Sequence, residues 1–425
     1  MSFQGVKRLD VWRRLASGDR VPVGTLAQNR QGVFFQYQGD YLRRFANLSP
    51  FSVDFDASLQ RAPRTPHAGL HGMFADSLPD GWGLLLMDRV FRQAGVLPSQ
   101  LTPMDRLAFV GDRGMGGLEY APASDMQPAP SQHMSRISEL GVQAQAIFDG
   151  QTTQVLAELV AVGSSGGARP KAQLYLPDDN SDVCSSSPQP GLSPYLVKFT
   201  SSQLALGHEE GLCEAAYLAL ARQAGISVPN WRLLAAPKAS GASAWLALER
   251  FDCTPGEGRL HLHSACGLLD ADFRMPSLDY EDLIKASSML CKSPAAGQAQ
   301  FRRAVFNLFA LNQDDHSKNW AFLQGDDGAW QLAPFYDVTF SPTPYGEHAT
   351  AFAGFGKAPS LKAMQRLANN ANFANWSQAE QVIEEVVKSL TGWEQVAKVA
   401  GVSQETRSLV ARQLGDVREQ NRHLL

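Results

Sequence analysis

Asp314, Asn319 and Asp337 are the residues whose types and spacing point to chemistry. Residues 312–319 read NQDDHSKN, which sets Asp314 and Asn319 five apart in the order D-x-x-x-x-N, and Asp337 follows 18 residues later within FYDV. Phosphoryl transfer needs a carboxylate that accepts or orients the proton of an attacking hydroxyl. It also needs an amide oxygen and a second carboxylate to hold Mg²⁺, a hard cation that takes oxygen ligands. On this pattern Asp314 is the catalytic base and Asn319 and Asp337 are metal ligands, with His316 and Lys318 steadying the loop or the transferring phosphate. Two other readings of the octapeptide are a solvated turn with adventitious charges and a metal-dependent phosphoesterase. A phosphoesterase normally needs several further His or Asp ligands; no second cluster is present, and His261 and His263 stand in a strand-like segment.

The flanking sequence supplies the means to position these groups. FRRAVFNLFAL, residues 301–311, has helical apolar spacing and predicts a buried helix that ends at the octapeptide. Between Asn319 and Asp337, strand-like residues lie on both sides of Asp327–Gly328, a two-residue hairpin signal. With that turn Gln331 opposes Gln324 and residue 318 faces 337, so the hairpin carries Asp337 back beside Asn319.

A second group of residues suits the phosphates and base of a nucleotide. VGSSGGARPKAQLYL, residues 162–176, contains Ser164, Ser165, Gly166, Gly167 and Lys171 and runs into a strand. It lacks the G-x-x-x-x-G-K-[ST] order of a Walker A loop. Backbone amides left open by small residues still suit phosphate oxygens; a flexible connector is the alternative. Lys198, in YLVKFT, sits among apolar residues on an expected interior strand. A lysine there snorkels or pairs. Its functional reading is a contact to the α- and β-phosphates and an ion pair with a helix glutamate, either Glu214 or, one turn earlier, Glu210. LALERF ends a strand with Glu249 and Phe251, which are expected to offer backbone hydrogen bonds and an apolar wall to adenine; a surface Glu249–Arg250 pair is the alternative.

The bulk properties agree with a globular protein. The 425 residues are 44% hydrophobic and 19% charged, enough for two or three domains with ample core. A net charge of −4 gives no basic excess for direct nucleic-acid binding. The five cysteines, at 184, 213, 253, 266 and 291, form no CxxC pair, so reduced thiols in a cytoplasmic protein are expected. The N-terminal residues lack a secretory apolar region, and no stretch approaches the ~18 apolar residues of a membrane span.

Residues 21–60 read as strands and turns, with breaks at Asn29–Gly32 and Gly39–Asp40. A helix is expected after Asp80, an Ala/Pro/Ser-rich connection over 121–135, a short helix over 152–162 and an exposed loop over 177–194. From about Asp279 onward the pattern is mostly helical apart from the hairpin. The fold class is therefore α+β: an N-terminal β-rich subdomain (1–125), a kinase-like N-lobe with the Gly-rich loop (126–255) and a mostly helical C-lobe (256–425).

With these pieces assembled, the chain resembles the HipA family of bacterial toxin serine/threonine kinases. VGTL…GVFFQYQGDYL and FADSLPDGWG resemble its N-terminal subdomain, SSGGARPKAQL its phosphate loop, and YLVKFT, ERFD and NQDDHSKNWAFL…WQLAPFYDV its ATP and catalytic segments. The resemblance implies a two-lobed protein kinase that uses ATP and Mg²⁺, with Asp314 catalytic, Asn319 and Asp337 on the metal, Lys198 on ATP, and Glu249 and Phe251 at the adenine edge. Counting back from Lys171 places Ser164 at the family's autophosphorylated serine, with Ser165 adjacent. In the family, phosphorylation there ejects the loop from the ATP site and silences the kinase, and the resemblance implies the same here. The resemblance further implies an aminoacyl-tRNA synthetase as substrate, growth inhibition, a helix-turn-helix antitoxin of the HipB type as partner, DNA contact only through that partner, and no membrane association. One departure concerns RLHLHSACGLL, where the family often has an acidic pair after a histidine and this chain has Ser264 and Ala265. The rival functions are a small-molecule kinase and a catalytically silent co-repressor module.

Overall fold

A computed structural model describes residues 3–128, 133–152, 159–160 and 166–425. Ser164, Ser165 and most of the helix expected over 152–162 lie outside the described residues. The fold is α+β, and the chain divides into two compact units: 1–204 with 234–270 and 323–329, and 205–233 with 271–322 and 330–425.

The first unit holds two sheets. In the N-terminal sheet β1 (Arg8–Arg14), β2 (Arg20–Asn29), β3 (Gly32–Tyr37), β4 (Gln60–Arg61) and β5 (Leu118–Ala121) take the order β4-β3-β2-β1-β5. Alternate residues of β1 and β3 turn inward, so Leu9, Val11, Phe35 and Tyr37 join Met73, Phe74 and Leu107 in one core. The Asn29–Gly32 turn joins β2 to β3 as expected. Gly39–Asp40 instead opens the helix Gly39–Arg44, because Tyr41 buries its ring under β3 and stacks on Tyr37.

The second sheet is β6 (Lys171–Pro177), β7 (Leu192–Lys198) and β9 (Ala244–Glu249), with β8 (Trp231–Ala235) beyond β9; the last two residues of β8 lie in this unit. The helix Ile137–Phe148 packs on this sheet through Leu140, Ala144 and Ile147. Gly141 permits that approach, since a Cβ there would sit 2.2 Å from the Trp245 ring. Residues 177–194 depart from the expected exposed loop. Cys184 and Ser185 are fully buried, and their backbones bridge to Ser135 and Tyr175. A loop poor in hydrophobic residues is thus held by backbone hydrogen bonds, which composition does not register.

The second unit is mostly helical, as the periodicity indicated. Its central helix, Pro294–Ala310, buries Phe301, Val305, Phe306, Leu308 and Phe309. Around it stand Glu210–Gln223, Tyr280–Leu290, Leu361–Asn370, Trp376–Leu390, Trp393–Val399 and Gln404–Gln420. Side-chain caps from Asp279, Ser360, Asn375 and Ser403 begin four of these helices. Side-chain hydrogen bonds tie helices together: buried Tyr217 Oη donates to Ala310 O at 2.8 Å and partly buried Ser389 Oγ to Leu220 O at 2.6 Å. Among the described residues no helix is long and apolar enough to cross a membrane. None of the five cysteines forms a disulfide.

Candidate active site

The central helix ends at Leu311, which is in the left-handed conformation (φ 54°) and turns the chain into residues 312–319. Seen from composition these are surface residues. In the structure Asn312, Gln313, Asp315 and Ser317 are each no more than 3% exposed, whereas the Asp314 side chain is 64% exposed. A solvated turn does not bury its polar groups in this way. Asn312, Gln313 and Asp315 find hydrogen-bond partners within the fold, while Ser317 Oγ has none among the described residues. Ser341 Oγ donates to Asn312 Oδ1 at 2.8 Å, and the Ser341 backbone exchanges hydrogen bonds with Leu311 and Gln313. Asn319 Nδ2 donates to the Asp314 carbonyl at 2.7 Å, which fixes the amide and leaves Oδ1 as its acceptor atom.

The hairpin before Asp337 forms, one residue out of the expected register. The hairpin pairs Gly325 with Ala329 and Ala321 with Ala333, so its loop is Asp326–Asp327–Gly328 rather than two residues. Two tertiary contacts cause the shift. Asp326 accepts from Ala16 N at 2.9 Å and lies 3.7 Å from Arg13, which draws it out of the ladder. Asp327 Oδ1 accepts from Ala329 N at 3.0 Å, and Gly328 takes φ 80°, a bulge that glycine adopts at low cost. Past the ladder, Tyr336, the residue before Asp337, donates from Oη to Lys318 O at 2.8 Å. Asp337 itself has φ 52°, a conformation costly for most L-residues and less so for Asp.

His316 and Lys318 gather around an aromatic residue that the spacing did not single out. The His316 ring lies 5.8 Å from that of Phe273, and Lys318 Nζ is 4.3 Å from the same ring centre. His316 Nε2 is 3.8 Å from Asp314 Oδ1, beyond hydrogen-bond range.

The nucleotide-associated residues of the first unit lie along its second sheet. Lys171 and Lys198 face each other across β6 and β7, so both point to one side of the sheet, and each is almost wholly buried. Lys171 Nζ donates to Gly166 O at 2.6 Å. The glycine segment is latched to the helix Gly81–Gln93: Gly167 N donates to the Asp80 carboxylate, Trp82 N to Gly167 O at 3.1 Å, and Trp82 Nε1 to Lys171 O at 2.8 Å. That latch joins residues nearly ninety positions apart and has no local signature. Glu249 ends β9 opposite Tyr195, and Phe251 follows half-buried. Arg250 between them turns inward onto Asp252 at 2.6 Å, which removes the surface Glu249–Arg250 pair. Burial alone would raise the Asp252 carboxyl, but Arg250, Arg259 and the Gly116 N–H bring it down to about 2. In the second unit, Glu214 and Glu210 both lie buried on the helix Glu210–Gln223.

Ser264 and Ala265, which replace the acidic pair, adjoin a carboxylate from elsewhere in the chain. Asp76 accepts from His263 Nδ1 at 2.6 Å, Ser264 N at 2.7 Å and Ser264 Oγ at 2.6 Å, while Ser49 Oγ and His263 Nε2 are 2.8 Å apart. The order Ser–His–Asp is that of a hydrolase, but no substrate fits. Ser49 and His263 are fully buried, and a Cβ on Gly267 would sit within 2.7 Å of Gly72 O, Asp76 and His263. This network is a staple of the first unit.

Among the described residues no group of three or more His, Cys, Asp or Glu could hold a metal by itself. The 312–337 site offers one carboxylate and one amide oxygen. That set fits Mg²⁺, which keeps several waters and binds through one or two carboxylates together with substrate phosphates.

The chain matches the HipA-like C-terminal domain over residues 163–393 and the HipA N-terminal domain over residues 16–121. No curated protein gives a significant match. Among solved structures, HipA of Shewanella oneidensis MR-1, determined with HipB and operator DNA as a toxin–antitoxin complex, aligns over 96% of both chains with TM-score 0.68 and 17% identity. The Helicobacter pylori proinflammatory kinase CtkA aligns over 54% of this chain and 90% of its own, with TM-score 0.38 and 12% identity.

Proposed function

This chain belongs to the HipA family, and we propose that it is an ATP- and Mg²⁺-dependent protein serine/threonine kinase acting as the toxin of a toxin–antitoxin pair. Asp314 orients and deprotonates the acceptor hydroxyl. Asn319 Oδ1 and the Asp337 carboxylate hold Mg²⁺, which when bound neutralises the charge on the phosphates. Lys198 contacts the α- and β-phosphates. Lys171, Gly166 and Gly167 shape the phosphate loop, whose Ser164 or Ser165 is the autophosphorylation site. Glu249 and Phe251 border adenine, and His316 and Lys318 brace the catalytic loop against Phe273. In this reading residues 1–125 form the family's N-terminal subdomain, 126–255 carry the nucleotide elements and 256–425 the catalytic ones. The substrate is an aminoacyl-tRNA synthetase, whose phosphorylation halts translation in the cytoplasm. The partner is a HipB-type helix-turn-helix protein, which carries the DNA contact.

The observation that supports this most is the burial pattern of 312–319. Four polar residues are sunk into the fold, and the one left exposed is the carboxylate that a phosphoryl acceptor must reach. Asp314→Asn is the test. It retains shape and hydrogen-bonding capacity but cannot take a proton, so transfer from ATP to a protein acceptor falls roughly 10²–10⁴-fold. Turnover equal to wild type rejects the assignment. Running the assay against synthetases and against sugars and aminoglycosides separates a protein kinase from a small-molecule kinase.

A further inference from the structure

Asp315 follows the proposed base directly and has no part in the chemistry above. It is 1% exposed, and both carboxylate oxygens are engaged. Tyr280 Oη donates to Oδ2 at 2.5 Å, His348 Nδ1 meets the same oxygen at 3.0 Å, and Thr350 N donates to Oδ1 at 3.1 Å. Its backbone carbonyl is held as well, by Trp320 Nε1 at 3.0 Å and by Thr350 Oγ1. A second layer closes the network on the loop's own beginning: Asn307 Nδ2 donates to Tyr280 Oη at 2.9 Å, and Asn312 Nδ2 donates to Asn307 Oδ1 at 2.8 Å. Asn307, Tyr280, His348 and Thr350 are all buried.

A carboxylate withdrawn from water is costly unless it is fully hydrogen-bonded. The fold meets that cost at one residue and so fixes three segments to each other: the 312–319 loop, the start of the helix Tyr280–Leu290, and residues 348–350 downstream of Asp337. The pairing of Leu278–Asp279 with Thr350–Ala351 reinforces the same junction. Adjacent side chains leave the backbone in different directions, so Asp315 drawn inward presents Asp314 outward.

We propose that Asp315 is a positioning residue for phosphoryl transfer, its buried carboxylate and its partners Tyr280, His348 and Thr350 locking the Asp314 loop to the chain segment that leaves Asp337. The proposal rests on the kinase reading above. It separates two roles that sit side by side in DDH: the first aspartate faces the acceptor, and the second sets where the first one stands. A displacement of about 1 Å in a reacting group costs on the order of 10²-fold in rate.

The test compares Asp315→Ala, Asp315→Asn and Tyr280→Phe in the full chain, with steady-state transfer from ATP, affinity for a fluorescent ATP analogue, and the folded fraction from near-UV circular dichroism. The expected result for Asp315→Ala and Tyr280→Phe is a fall in kcat of about 10–100-fold per folded molecule, with the KM for ATP and analogue affinity within about twofold of wild type. Asp315→Asn keeps an acceptor oxygen for Tyr280 or Thr350 and loses less than Asp315→Ala. Tyr280→Phe removes one hydroxyl and keeps the proposal testable should Asp315→Ala fail to fold. Wild-type kcat in folded Tyr280→Phe and Asp315→Asn overturns the proposal, as does a loss carried by KM rather than kcat. A wild-type protein that transfers no phosphate overturns the kinase reading itself, which is a different outcome from active wild type with indifferent variants.

Discussion

Asp337 pairs a functional side chain with an unfavourable backbone, and two substitutions pull those apart. At φ 52° an L-residue pays roughly 1–2 kcal/mol relative to its preferred regions. Aspartate pays less than alanine because its short polar side chain tolerates this region. Glycine pays none of it but gives the unfolded chain more freedom, which costs about 0.5–1 kcal/mol. Asp337→Gly is therefore expected to be more stable than Asp337→Ala by about 1 kcal/mol, even though alanine is the better residue at most positions. Both variants lose the metal carboxylate. Charge stabilisation by a bound cation is worth several kcal/mol, and at about 1.4 kcal/mol per decade both should fall at least about a hundredfold in turnover. Urea unfolding measures the first quantity and ATP-dependent transfer the second. Equal stability of the alanine and glycine variants would show that position 337 is not held left-handed. Near-wild-type turnover in either would remove Asp337 from the metal.

Two further outcomes follow from the first unit. Arg250→Met strands the fully buried Asp252 carboxylate and should cost about 3–5 kcal/mol at neutral pH. Because Asp252 is brought down to about 2, below the usual carboxylate value of ~3.9, its contribution is complete above about pH 4 and is lost as pH falls through 2; acid unfolding of wild type and variant should converge over that window. Mass spectrometry of the protein incubated with ATP and Mg²⁺ should find phosphate on Ser164 or Ser165, and phosphate found only elsewhere removes the loop switch.

The parts that sequence made legible are those whose signal is local. Helical apolar spacing over 301–311 marked the buried part of the helix Pro294–Ala310, and the hydrophobic run around Lys198 marked an interior strand. The Asp–Gly pair marked the hairpin that follows the loop, although not its register. What was not legible depends on partners far along the chain. The hairpin slipped one residue because Asp326 answers to Arg13 and Ala16, some three hundred positions away. NQDDHSKN looked solvated because its acceptors and donors, at 280, 341, 348 and 350, appear in sequence only as scattered polar residues. Gly167 is held by Asp80, and no local pattern announces that pairing. Phe273 escaped notice because a lone aromatic is most often core.

The central claim is that Asn319 and Asp337 hold one divalent cation beside Asp314. Its most direct test is a crystal grown with Mn²⁺ and a non-hydrolysable ATP analogue, with the metal located by anomalous scattering. The account predicts a peak within about 2.0–2.3 Å of both Asn319 Oδ1 and an Asp337 carboxylate oxygen, the distance of a small hard cation from oxygen ligands. A nucleotide bound with its metal on other side chains, or with Asp337 turned away from Asn319, would contradict it.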